Sequence, residues 1–559
     1  MTATQRPPDA LDTRLVRARL SDDQLATLRQ YGTVEPTTVG QVLFAAGDPR
    51  YDLIVLLEGA VEVSDMYAGK RRYITTAGPR DFLAELNLLT GQRAYVTGMV
   101  TEAGSILRVP RDRVGEVIDG HGDLGAFLLQ EMFRRRQMFL QLRAGVQIVG
   151  SRYSPDTQRL REFAMRNRLA HGWIDLDNDP AAVALLDSAG AHPGDTPIVL
   201  LEGTDVLRNP SNAQLAQAVG ITGEPAWGRT YDLIVIGAGP GGLAAAVYGA
   251  SEGLATAAVD AVAAGGQAST TSRIENYLGF PTGVSGAEFG ERALLQAVRF
   301  GAQMLVPHRA IGLTAPGGHY LVALEDGTHL AGKSVIVATG VSYRRLDVPD
   351  IERFEGLGVF YSPLDPARDV EPDDPVVIVG GGNSAGQAAV ALASAGHQVH
   401  IAVRSPALAA SMSTYLLDRI TRDDRISVHV QTTVSELRGA RQLESVVLRS
   451  RDSAEPTTVQ THYLLAMIGA QPHTEWLPPE LARDERGFIL TGDAVPFAFR
   501  DSHEWSALSR PPYLYETSLP GVFAAGDVRA GSVKRVAAAA GEGSMAVRLA
   551  QQYLGLVPA

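Results

Sequence analysis

The stretch Tyr231–Gly242, Tyr-Asp-Leu-Ile-Val-Ile-Gly-Ala-Gly-Pro-Gly-Gly, decides the fold. Its apolar run predicts a buried parallel strand. Gly237, Gly239 and Gly242 follow in Gly-x-Gly-x-x-Gly spacing, and the alanine-rich Leu243–Ser251 predicts a helix. The three glycines serve three needs in turn, namely a tight turn, close backbone approach to a pyrophosphate, and tight packing of helix on sheet. The helix start presents free N–H groups and partial positive charge to that pyrophosphate. A second apolar run, Thr256–Val259, ends in Asp260, 23 positions after Gly237. An acid near that distance holds a ribose hydroxyl in dinucleotide folds. A second glycine cluster stands at Gly380–Ala385. Two such folds in one chain predict two dinucleotides with hydride transfer between them.

The chain has 559 residues, enough for three or four domains. It contains no run near the ~20 apolar residues of a membrane helix. Met1–Ala10 is polar and proline-bearing, so a cytoplasmic protein without membrane partners is expected. A net charge of −12 argues against nucleic acid as a partner. The run Arg134–Arg136 falls on a helical pattern and reads as a solvated helix face. There is no cysteine. That excludes disulfides, thiolate nucleophiles and dithiol relays.

From Ser21 the pattern is a helix, then short strands at Val42–Ala45, Leu53–Leu57, Ala60–Val63, Tyr73–Thr75 and Ser105–Val109. Such spacing predicts a small antiparallel roll. A helix over about Leu124–Leu142 closes it. The segments Leu57-Glu58-Gly59, Phe82–Leu86 and Leu88–Ala94 resemble a cyclic-nucleotide-binding domain. The resemblance implies a carboxylate on the ribose, which Glu85 fits, and an arginine on the cyclic phosphate, for which Arg93 is the candidate. Two departures stand out. Ala84 replaces the family's glycine, and Arg93 falls one position early, leaving Ala94 at the phosphate position. A cyclic phosphate buried without a partner charge is costly, so cyclic-nucleotide binding is left open.

Gly145 to Gly223 reads as strand (Val146–Gly150), helix (Thr157–Asn167), strand (Gly172–Leu176), then strand (Ala181–Leu186), strand (Ile198–Leu201) and helix (Asn212–Val219), and resembles a thioredoxin/glutaredoxin fold. Ser154-Pro155-Asp156-Thr157 stands where that family carries Cys-Pro-x-Cys, and Thr196-Pro197 is similar to its cis-proline turn. Hydroxyls do not perform thiol–disulfide exchange, so a redox-dead docking or spacer module is expected. Ile221–Gly228 reads as a linker.

Residues 230–555 resemble the low-molecular-weight thioredoxin reductases and their ferredoxin- or flavodoxin-reducing relatives. The likeness rests on Gly237–Gly242, Gly265-Gly266-Gln267, Ser272–Pro281, Thr339-Gly340, Gly380–Ala385, Met467–Pro472 and Gly521–Asp527 in one order. It implies FAD on Gly237, Gly239, Pro240 and Gly241, with Asp260 on the adenosine ribose. Gly266, Gln267, Asn276, Thr339, Gly340 and Gly526 complete the expected FAD site, and Asp527 takes the ribityl chain. Arg535, Val536 and Ala537 open a helix whose dipole faces the flavin. The second nucleotide is expected on Gly380, Gly382, Asn383, Ser384 and Ala385, with Ile468 and Gly469 returning the chain to the flavin domain. Gln387 stands where the family often has glutamate. Arg404, where NAD sites carry an acid, favours the 2′-phosphate of NADPH over NADH.

The departure with most consequence is Tyr361–Asp365. Ser362 and Asp365 hold the positions of that family's two redox cysteines. The expected protein is therefore multidomain: a cyclic-nucleotide-binding-like roll (1–144), a thioredoxin-like α/β domain without redox cysteines (145–226), a Rossmann-like FAD domain (230–356 and 488–559) and a Rossmann-like NAD(P)H domain (357–487). The expected activity is hydride transfer from NADPH to FAD and electron delivery to ferredoxin, flavodoxin or a quinone without a dithiol. No side chain is assigned a catalytic role and no metal is expected. The alternative is an FAD-binding redox-sensing scaffold with little turnover. The resemblance implies a homodimer.

Overall fold

The computed structural model describes residues 19–557 apart from 68, 180, 202–205, 223–227, 272, 362–369, 409–411, 452, 454, 501–502 and 509. The chain divides near residue 224 into two compact units.

In the N-terminal unit a six-stranded antiparallel sheet forms the roll, dominated by Leu53–Tyr67 paired with Thr97–Val109. Both strands outrun their sequence prediction. Leu53–Leu57 and Ala60–Val63 are one strand because the register shifts around Glu58–Ala60 instead of breaking. Gly59 supplies the positive φ of 87°, and a Cβ there would lie 2.4 Å from the Glu102 carbonyl oxygen. Glu58-Gly59, a loop signal in the sequence, is thus a bulge. Helices Arg111–Gly120 and Gly122–Leu142 follow.

Beyond the roll, Val146–Gly150 pairs parallel with His171–Asp175 and antiparallel with Ile198–Leu200, which pairs antiparallel with Leu207–Arg208. Helices Pro155–Arg166, Ala181–Ser188 and Asn212–Val219 accompany these strands. Ala181–Leu186, expected as a strand, is therefore helical, and its Ala182, Leu185 and Leu186 share a core with Val149 and Ile174. Ser154 caps the first of them, its hydroxyl accepting from Thr157 N–H at 3.3 Å. The Thr196–Pro197 bond is cis. Thr157 and Pro197 crowd the same face of Gly150, where a Cβ would meet both.

The C-terminal unit holds two parallel-cored sheets. In the first, Thr230–Ile236 lies between Thr256–Val259 and His329–Val337, and Val522–Ala524 joins the far side of His329–Val337, all parallel. Leu233, Ile234 and Val235 are fully buried, as a strand covered on both faces requires. In the second sheet the order is Val359–Phe360, Tyr463–Ala466, Val376–Val379, Val399–Ala402 and Ile426–His429, again parallel. A two-stranded ribbon, Val341–Tyr343 with Ala470–Pro472, carries the chain between them. The expected boundaries at 356/357 and 487/488 fall beyond this ribbon. Val348, Ile351 and Phe354 already share a core with Val377 and Leu464. On the return, Ala482 and Glu480 are tied to Ser518 by hydrogen bonds of 2.8 and 2.7 Å.

Candidate functional site: a cavity between two glycine-rich turns

The first turn is built by exclusion of side chains. Gly237 has φ 106°, and a Cβ there would lie 2.2 Å from the Ala338 carbonyl oxygen. A Cβ on Gly242 would lie 1.7 Å from the Gly237 carbonyl oxygen. Gly239 has no such conflict, with the nearest atom at 4.0 Å. Open space above Gly239 is what a pyrophosphate approaching the backbone needs. Gly239 caps helix Pro240–Ser251, with proline in the first turn where its missing N–H costs nothing.

Asp260 braces this turn. One carboxylate oxygen accepts from Ala238 N–H at 2.8 Å; the other accepts from Val262 and Ala263 N–H at 2.9 and 3.1 Å. A carboxylate has about four lone-pair positions, so acceptor capacity remains for a ribose hydroxyl. Gln267 donates to the Val341 carbonyl, and Thr339 Oγ1 donates to the His473 carbonyl at 3.0 Å. These bonds tie the flavin-side loops to the connecting ribbon.

The C-terminal helix Val536–Tyr553 aims its N-terminus at the same space, with Arg535 as its cap residue. It lies almost backbone to backbone against helix Pro240–Ser251: a Cβ on Gly543 would sit 2.0 Å from the Gly241 carbonyl oxygen. Glu542 accepts from Gly526 N–H at 2.7 Å and pairs with Arg529 at 2.7 Å, holding the Gly526–Val528 turn. Asp527 sits in that turn. Burial pushes its carboxyl above the ordinary value; Lys534 opposes the shift and Glu542 adds to it. Sequence reading missed Arg529, Glu542 and Gly543. The one available signal was Gly541-Glu542-Gly543 inside a helix, where glycine is unfavourable unless something approaches closely.

The second turn repeats the logic. Gly380 has φ 137°, and a Cβ there would lie 2.2 Å from the Met467 carbonyl oxygen. Gly382 caps helix Asn383–Ser394 and has open space above it. Asn383 Oδ1 accepts from Ser413 N–H at 2.8 Å. Arg404 is exposed just beyond strand Val399–Ala402.

A single cavity of ≈ 320 Å³ joins the two turns. Of the expected residues it is lined by Gly239, Pro240, Gly241, Asp260, Gly266, Gln267, Asn276, Thr339, Gly340, Gly526, Asp527, Arg535 and Val536 from the flavin side. From the nucleotide side come Asn383 and Ser384, with Gln387, Ser413 and Tyr415. Gly237, Ala537, Gly380, Gly382, Ala385, Arg404, Ile468 and Gly469 lie outside the lining. Ser362 and Asp365 lie outside the described residues. Among the described residues no cluster of His, Asp and Glu could hold a metal ion, and no helix is long and apolar enough to cross a membrane.

The roll is arranged differently. Glu85 and Arg136 are 5% and 1% exposed and pair with each other at 3.7 Å. Arg136 also donates to Gln92 Oε1 at 3.3 Å. The run Arg134–Arg136 is therefore not a solvated face. Arg134 pairs with Glu131 at 2.6 Å and Arg135 lies 3.9 Å above the Phe82 ring. Burial, and then the charge of Glu85, pushes the Tyr51 phenol well above its ordinary value. Arg93 donates to the Gly47 carbonyl at 2.9 Å. Neither Glu85 nor Arg93 lines the roll's main cavity.

Two glycine-rich strand–turn–helix sites facing one cavity define a two-dinucleotide oxidoreductase. Residues 231–543 match the model of the pyridine nucleotide-disulphide oxidoreductases, and the chain belongs to that family. Residues 37–121 match the cyclic nucleotide-binding domain. The chain is 32% identical over 331 residues to a thioredoxin reductase of Treponema pallidum, covering 58% of this chain and 97% of that one. It is 30% identical to a thioredoxin reductase of Schizosaccharomyces pombe, over 58% and 96% of the two chains. The crystal structure of Lactococcus lactis thioredoxin reductase in its FR conformation superposes with TM-score 0.51 at 26% identity, covering 59% of this chain and all of that one. The protein is thus a thioredoxin reductase-like pyridine nucleotide oxidoreductase without a single cysteine.

Proposed function

We propose that this chain is an NADPH-dependent FAD oxidoreductase whose electrons leave from the flavin itself, toward a ferredoxin, a flavodoxin or a quinone. The observation that carries the reading is the shared cavity: flavin-side and nucleotide-side residues line one space. When bound, FAD and NADPH supply the hydride and electron chemistry, and the chain supplies position.

Each named residue holds one part of the cofactors in place. Gly239 and the start of helix Pro240–Ser251 receive a pyrophosphate, and Asp260 holds both the turn and a ribose. Arg529 and Glu542 keep the Gly526–Val528 turn in place so that Asp527 meets the ribityl hydroxyls. The N-terminus of helix Val536–Tyr553 stabilises negative charge on the reduced ring. Arg404, exposed past its strand end, would pair with a 2′-phosphate, and that reading favours NADPH over NADH. The ribbon Val341–Tyr343/Ala470–Pro472 is the natural hinge for nucleotide entry and exit. A homodimer follows from the resemblance to the thioredoxin reductases. The thioredoxin-type reading of 145–226 is supported by its strand order and by Thr157 beside Pro197, and its hydroxyls make it a docking module.

The test is anaerobic reduction by NADPH, followed by each oxidant in turn. Bleaching of the yellow flavin, then reoxidation by ferredoxin, flavodoxin or a quinone but not by oxidised thioredoxin, is the expected result. A flavin that stays oxidised with excess NADPH removes the reading and leaves a binding scaffold.

A further inference from the structure

The roll encloses its own cavity of ≈ 290 Å³, close to the lower end of small-molecule sites. Its walls include Phe44, Val63, Ala77, Ala94, Val96 and Phe139. Ala94, only 4% exposed, adds an uncharged methyl group to this wall. The helix Gly122–Leu142 forms one side, with Met138 half-buried and Gln137 and Gln141 exposed at the rim.

Three charged side chains line this cavity, and each is already engaged by protein. Asp81 accepts from Gly78 N–H at 2.8 Å and lies 3.8 Å from the Arg19 guanidinium. Arg134 is held by Glu131. Arg135 donates to the Phe82 and Ala84 carbonyls at 2.6 and 3.0 Å while covering the Phe82 ring. The carboxylate and arginine expected to hold a cyclic nucleotide face elsewhere: Glu85 neutralises Arg136, and Arg93 serves Gly47. An entering phosphodiester would lose its water and, among the described residues of these walls, find only cations already held by protein. An uncharged apolar body loses nothing comparable and gains by leaving water.

We infer that the roll is a binding site for an uncharged, apolar small molecule, a ring system or a short acyl chain, and not for a cyclic nucleotide. The walls supply contact area, and Gln137 and Gln141 at the mouth can hydrogen-bond one polar end.

The experiment titrates the full-length flavoprotein with N-phenyl-1-naphthylamine, an uncharged fluorophore that brightens when it leaves water. Saturable binding at one site per chain is expected, displaced by neither cyclic AMP nor cyclic GMP and unaffected by NADP⁺. Ala94→Phe, which fills the cavity, should weaken the probe at least tenfold. Should Ala94→Phe fail to fold, Met138→Trp blocks the same space from the helix side and should do the same, with flavin absorbance and melting temperature unchanged. Saturable cyclic-nucleotide binding, absence of saturable probe binding, or full probe affinity in a folded Met138→Trp protein each overturns the proposal.

Discussion

The flavin half and the N-terminal roll both match families named for nucleotide binding, yet they treat their ionisable side chains in opposite ways. In the flavin half, Asp260 and Asp527 line the cavity, and the partners around them hold backbone in place. In the roll, Glu85 and Arg136 are turned into one another and away from the cavity. The difference teaches that a family pattern reports a fold more securely than a ligand. The fold needs apolar spacing and a few glycines, whereas the ligand needs particular charges left facing the space.

The comparison breaks most easily at Gly242. Gly242→Ala puts a carbon where only 1.7 Å separates it from a carbonyl oxygen. We expect a loss of about 4 kcal/mol or more and no recoverable flavoprotein. Gly239→Ala meets nothing closer than 4.0 Å and should fold with a near-normal melting temperature. It should still lose tenfold or more in FAD affinity, measured by flavin fluorescence. Wild-type affinity in Gly239→Ala would move the pyrophosphate elsewhere.

Next in size is the buried pair of the roll. Arg136→Met alone leaves Glu85 buried without its cation and should cost about 3–5 kcal/mol in urea unfolding. The double change Glu85→Leu with Arg136→Met should recover most of that loss. If the single change is silent, the pair is not what organises this wall.

A smaller effect is expected at Arg404. Arg404→Gln should raise the KM for NADPH by roughly ten- to a hundredfold, one charge-assisted hydrogen bond being worth about 1.5–3 kcal/mol, and leave that for NADH nearly unchanged. Equal changes for both nucleotides would remove the 2′-phosphate from this residue.

The smallest effect is electrostatic. Asp527 has a raised carboxyl pKa in the folded protein, chiefly through burial. The folded state then binds its proton more tightly than the unfolded chain does. Below the ordinary carboxylate value of about 3.9 this carries no penalty. As pH rises from there through the raised value, the flavin-free protein loses stability, and above it the loss is constant. Asp527→Asn should therefore melt a few degrees higher than wild type at neutral pH when free of flavin, and the gap should close in acid. The same variant should bind FAD more weakly. A gap that widens in acid would contradict the shift.

Much of this was legible in the chain. The parallel strands, both glycine turns and the last helix follow from apolar runs next to Gly-x-Gly spacing, which are local features. The merged strand Leu53–Tyr67 was harder, because Glu58-Gly59 reads as a turn until a partner strand holds it as a bulge. The fate of Arg136 was not legible either. A helical run of three arginines looks solvated, and only the position of Glu85, 51 residues earlier, draws one of them inside.

What the sequence alone determined is chemical: two dinucleotide turns, and no sulfur atom able to carry electrons as a thiol. What only the tertiary structure decided is which groups meet across the chain: one cavity between both turns, the Arg529–Glu542 brace behind Asp527, and the self-neutralised pair in the roll. The physical reason is range. Glycine turns and apolar runs act through residues a few positions apart, whereas an ion pair acts across whatever distance the packed chain happens to close.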